Sequence, residues 1–105
     1  MLDFFLIADE EPTPDEPGEL KQVGGLELDE FDRLKRFGFF VTSRASYFDD
    51  WRLSSTELDT ELENTRRRRT ELTEISGFRS REIDNWESIL SRAGNNSRGI
   101  VAFCD

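Results

Sequence analysis

Two short apolar runs near the ends of the sequence constrain its fold more than any other feature. Leu2 to Ala8 is apolar apart from Asp3, and Ile100 to Cys104 is apolar throughout. Both are rich in aromatic and aliphatic residues and lack polar alternation, the pattern of strands buried on both faces. A strand that apolar cannot stand at an open sheet edge. The simplest arrangement makes each run the neighbour of the other and lays helices over the sheet they form. The predicted fold is therefore α+β: a small sheet with the first and last strands paired, covered by about three helices. At 105 residues the chain reads as one domain over 1–105, because two would each be too small to bury a useful core.

Between the runs the punctuation is clear. Residues 9–18 hold three prolines and five acids, which cannot continue a sheet and predict an exposed loop. Gly24-Gly25 marks a second break. A first helix is expected from about Asp29 to Phe37, with Asp29 as its cap, basic residues near its end, and Gly38 as its stop. Residues 39–42 then suggest a short strand, and 43–53 a loop. Ser54 with Glu57 three residues later forms a capping box for a second helix. That helix carries Leu58, Leu62, Leu72 and Ile75 on one face and ends at Gly77. A third helix runs from near Ser80 to Gly94, burying Ile83, Trp86, Ile89, Leu90 and Ala93 and turning Asp84, Asn85, Ser88 and Arg92 to water.

The net charge is −9 and unevenly spread. Residues 1–20 hold seven acids and no base. A negative field repels phosphate backbones and attracts basic partners, so nucleic acid is not expected as a ligand. No segment is long and apolar enough for a membrane helix. The opening residues lack a basic leader and are too short for a signal peptide. A lone cysteine, Cys104, makes no intrachain disulfide. Together these predict a cytoplasmic protein without a membrane partner.

The absence of histidine excludes histidine-based acid–base chemistry, a Ser-His-Asp arrangement and histidine metal ligation within one chain. One cysteine cannot build a thiolate zinc site. No phosphate-binding glycine loop is present. The acids of 9–18 lack the spacing of a calcium loop and read as a solvated surface, with no metal and no cofactor called for.

Three features remain. Arg66-Arg67-Arg68-Arg69 sweeps about 300° around a helix, so it forms no single basic patch. Acids surround it, with Glu61 and Glu74 flanking the run, and a self-paired solvated face is expected. Arg69 differs, because it falls inside the apolar stripe between Leu62 and Leu72, beside Thr65. Its guanidinium must snorkel out, pair with a buried acid such as Asp49 or Asp50, or face a pocket. The third feature is the segment from Tyr47 to Arg52, which mixes aromatic and charged residues densely. Tyr47, Asp49, Asp50, Trp51 and Arg52 either plug the loop into the core or form a binding surface, since aromatics and arginine dominate binding hot spots.

Three stretches taken in order carry a resemblance. They are Met1 to Phe4 with the Pro-rich loop and Gly24-Gly25-Leu26, the segment Tyr47 to Leu53, and Gly99 to Asp105. Together they resemble a group of small bacterial proteins of unknown function that share an apolar first strand, a central aromatic-acid-aromatic-Arg segment and an apolar last strand. The resemblance implies a bacterial origin and a shared fold, and no activity.

The functional expectation is a non-enzymatic, acidic protein-binding module that neutralises or regulates a basic partner, as bacterial immunity proteins do. The competing expectation is a small-molecule-binding or enzymatic domain using Arg69 with Asp49 or Asp50 in a pocket.

Overall fold

The first and last strands are paired at the centre of the sheet. In a computed structural model of the chain, which describes residues 1–42, 44–76 and 81–104 and only the backbone of 73–76, β1 (Leu2–Ile7) runs antiparallel to β4 (Gly99–Cys104). The register holds from Leu2 opposite Cys104 to Ile7 opposite Gly99. β2 (Gln22–Leu26) adds to the outer side of β1, and β3 (Trp51–Leu53) adds to β4. The strand order is β2-β1-β4-β3, all antiparallel. With three helices, α1 (Leu28–Arg36), α2 (Ser55–Ser76) and α3 (Arg81–Asn95), this is an α+β fold.

Strand alternation sorts the core into two clusters. Leu2, Phe4, Leu6, Ile100 and Ala102 face the helices and join Trp51, Leu53, Trp86, Ile89 and Leu90 in the main core. Phe5, Ile7, Val101 and Phe103 form a smaller cluster on the other face, where Leu20 packs against them. Both faces of the central pair are thus buried, as the unbroken apolar runs require.

The helices begin and end for local reasons. Ser54 and Glu57 exchange the two hydrogen bonds of the expected capping box at α2. Gly38, with φ of 79°, follows α1 in the left-handed conformation that favours glycine. The cap of α1 is Glu27, not Asp29, and its backbone N–H donates to Glu30 Oε1 at 2.9 Å. The apolar stripe of α3 is buried as expected. Asn85 and Arg92 do more than face water: they donate to Gly25 O and Val23 O, satisfying carbonyls of the edge strand β2. The expected ends of α2 at Gly77 and of α3 at Ser80 lie outside the described residues, as does the side chain of Ile75.

Three further sequence expectations are corrected. Gly24-Gly25 is not a break but the middle of β2, because α3 packs directly on it. A Cβ at residue 24 would lie 2.5 Å from Ile89 Cγ1, so only glycine allows this approach. Residues 51–53 form the edge strand β3 and not part of a loop. Residues 39–42 form no strand, because side chains of α2 take their backbone groups. Glu61 Oε1 accepts from Val41 N and Thr42 N, and Asn64 Nδ2 donates to Gly38 O and Phe39 O. One turn further on, Arg68 donates to Phe37 O.

Candidate functional site

The segment 47–52 divides between core and surface. Trp51 is core: it is 6% exposed, its Nε1 donates to Ser46 O at 2.8 Å, and its ring meets Phe4 and Phe40 edge-on. Tyr47 is half-buried, tilted against Phe31 and edge-on to Phe48. Phe48 is 70% exposed, the most exposed large apolar side chain among the described residues. Asp49 accepts from Ser46 Oγ, and Asp50 Oδ1 accepts from Cys104 N at 3.2 Å. Arg52 points to the opposite face from Trp51 and straps the acidic loop. It donates to Ala8 O, Glu11 O and Thr13 Oγ1.

The loop 9–18 is therefore mostly exposed, as expected, but tied to the fold. Asp9 accepts from both Ser55 N and Ser55 Oγ at the start of α2. Those bonds, the hydroxyl's first, hold its carboxyl below the usual carboxylate range, with the Arg52 charge adding to them.

Arg69 is not where the pocket hypothesis needs it. Its guanidinium pairs with Asp84 and Glu87 of α3, and not with Asp49 or Asp50, which hydrogen-bond within their own end of the sheet. The reason is helical spacing. Arg66 and Arg69, three apart on α2, face Asp84 and Glu87, three apart on α3. Arg67 meets Asn64, and Arg68 meets Glu71 and Phe37 O, so only Arg66 and Arg69 share a partner, Glu87. The Arg69 side chain is 30% exposed and that of Glu87 22%, between a surface and a buried pair. Arg69→Ala is expected to cost about 1–2 kcal/mol, and Arg66→Ala or Arg67→Ala under about 1 kcal/mol, in urea denaturation.

What the fold does bring together is one end of the sheet. The register places Leu2 opposite both Leu26 and Cys104, so Met1, Glu27 and Leu28 emerge there. Asp50 is bonded to Cys104 at that end, and the Tyr47 oxygen approaches the Leu28 amide. Loss of water holds the Tyr47 phenol above its usual range, with Glu27 the next contribution. Met1, Leu28 and Phe48 are three of the four exposed large apolar residues among those described. Glu27, Asp29, Asp49 and Asp50 accompany them. An exposed apolar set that includes one aromatic ring, among fixed carboxylates, is suited to cations and to the aliphatic stems that carry them.

Asp50, Trp51 and Arg52 also line an open cavity of about 400 Å³ with Thr13 and Arg44. A smaller one, of about 220 Å³, is bordered by Val41, Thr42, Leu53, Glu57, Thr60 and Glu61. Glu61, which the sequence presents only as a flank of the arginine run, is a site residue that the sequence pattern does not single out. It is 1% exposed, and burial pushes its carboxyl above the usual range against the opposing bonds from Val41 and Thr42. The signal was its position: three after Leu58 and four before Thr65, it lies on the buried side of α2.

No family model, curated protein or solved structure matches the chain. Among the described residues no helix is long and apolar enough to cross a membrane.

Proposed function

We propose that this chain is a non-enzymatic, acidic protein-binding module that neutralises or regulates a basic protein partner, in the manner of an immunity protein, within the cytoplasm. The observation that carries the reading is Phe48, held out into water beside Tyr47 and flanked by Asp49 and Asp50, whose carboxylates are positioned by Ser46 and Cys104. An exposed aromatic ring serves as an anchor that a partner desolvates. The surrounding acids select a basic surface and speed encounter with it, as does the net charge of −9. Nucleic acid is disfavoured by the same charge and by the engagement of Arg66 to Arg69 with acids and polar groups of this chain.

The test is capture of a partner from the source organism by the wild-type chain and by Phe48→Ser and Asp49→Asn/Asp50→Asn variants, followed by titration. A basic partner is expected, bound at least about 10-fold more weakly by Phe48→Ser. The charge variant is expected to slow association and flatten the salt dependence. An acidic partner, or one indifferent to both variants and to salt, overturns the proposal.

A further inference from the structure

We propose that the cavity between α2 and residues 41–42 receives a single N–H-bearing organic cation, a guanidinium by preference, with the Glu61 carboxylate as its counter-ion. The inference rests on the protein-binding reading for its source, an arginine side chain of the basic partner. Its chemistry stands on three separate observations.

The first is an unused acceptor. Glu61 Oε1 is occupied by Val41 N at 2.6 Å and Thr42 N at 3.3 Å, but Oε2 is buried without a hydrogen-bond partner. A buried carboxylate oxygen without a donor is costly, and folds retain few of them. Thr65 Oγ1 and Trp86 Nε1 are also unpartnered, but Glu61 is the one of the three that borders this cavity.

The second is size and lining. At about 220 Å³ the cavity is below the range of about 300–1,000 Å³ typical of small-molecule sites, and suits one side chain. Val41 and Leu53 supply apolar walls for an aliphatic stem, and Thr60 supplies a hydroxyl acceptor beside the carboxylate.

The third is that the rim already holds a guanidinium. Arg44 of this chain pairs with Glu57 and donates through Nε to Thr42 Oγ1 at 3.3 Å, and both of those residues line the cavity. The polar rim therefore has the geometry for a planar, multiply donating cation. Arg44 meets the rim, and Glu61 is left for a second cation. A cation bound there would offset the cost of burying the Glu61 charge.

The experiment uses the whole chain and defined probes. Methylguanidinium, methylammonium and tetramethylammonium, which has no N–H, are titrated separately while the amide signals of Val41 and Thr42 are followed by NMR. Methylguanidinium is expected to shift both signals saturably, methylammonium less tightly, and tetramethylammonium not at all. Glu61→Gln keeps an acceptor for the two amides but removes the charge, and should weaken binding at least about 10-fold. Thr60→Lys, on the exposed side of the rim, tethers a competing ammonium at the site while leaving Glu61 in place and should abolish binding of added cation, which guards against misfolding of the first variant. Unsaturable shifts, equal responses to all three cations, or unchanged binding in both variants overturn the proposal. Tighter binding of methylammonium overturns the guanidinium preference. A partner that is lost with Phe48→Ser but unaffected by Glu61→Gln overturns this inference and leaves the module reading intact. Cation binding by a chain whose partner is not basic does the reverse.

Discussion

Trp51→Ala is expected to lower stability by about 3–5 kcal/mol, whereas Phe48→Ser, three residues earlier, should change it by no more than about 0.5 kcal/mol. Trp51 lies between Phe4 and Phe40, with ring centroids at 5.8 and 6.2 Å, and anchors the 46–51 turn through its bond to Ser46 O. Truncation removes two edge-on ring contacts, leaves a cavity against the sheet and frees the carbonyl of Ser46. Phe48 is mostly in water and contributes little of this kind. The reverse holds for partner binding, where Phe48→Ser should be the damaging change. Urea denaturation of the two variants, read beside partner titrations, separates core from contact surface within one short segment. A small loss for Trp51→Ala would place its ring outside the core. A large loss for Phe48→Ser would remove it as a surface anchor.

Gly99→Ala is expected to cost at least about 3 kcal/mol, more than a methyl group usually does. Gly99 starts β4 opposite Ile7, and a Cβ there would collide with the backbone oxygen of Leu53. The carbonyl carbons of Leu53 and Ser54 would lie 3.1 Å away. Flexible side chains can yield to an added methyl, but these atoms belong to the backbone. Relief requires parting β3 from β4 where β3 is only three residues long and leads directly into the α2 capping box. Thermal melts should show the loss, and the amide of Leu53 should lose its protection from exchange. Wild-type stability with intact protection would show that β3 adjusts freely.

The parts of the fold legible in the sequence were those that declare themselves by periodicity or by end signals. The unbroken apolar runs announced β1 and β4 as a buried central pair, and Ser54 with Glu57 announced α2. β2 was hidden because Gly24 is there for the sake of Ile89 on α3, a long-range demand that reads locally as a break. β3 was hidden by its length of three residues. Residues 39–42 look like a strand by composition, yet their amides and carbonyls go to Glu61 and Asn64, which no local rule foretells. The site was legible to the same extent. The segment 47–52 stands out in the sequence as a unit, but its division into Trp51 inside and Phe48 outside depends on which residues reach the helix side of the sheet. The helical count distinguishes Arg69 from its neighbours but cannot say that the facing acids are Asp84 and Glu87. Glu61 was overshadowed by the more conspicuous arginines beside it.

The strand order has a kinetic consequence. β4 is the inner partner of both β1 and β3, yet it is the last of the four to be synthesised. Until residues 99–104 leave the ribosome, β1 can pair only with β2, a five-residue strand that contains two glycines, and β3 has no neighbour. The helices can form earlier from local contacts, but they have no finished surface on which to settle. Closure of the sheet must span most of the chain at once, a high-contact-order step that is slow relative to helix formation. During that interval the apolar β1 is exposed to neighbouring nascent chains, and its window of risk is set by the rate of translation and not by the stability of the finished fold.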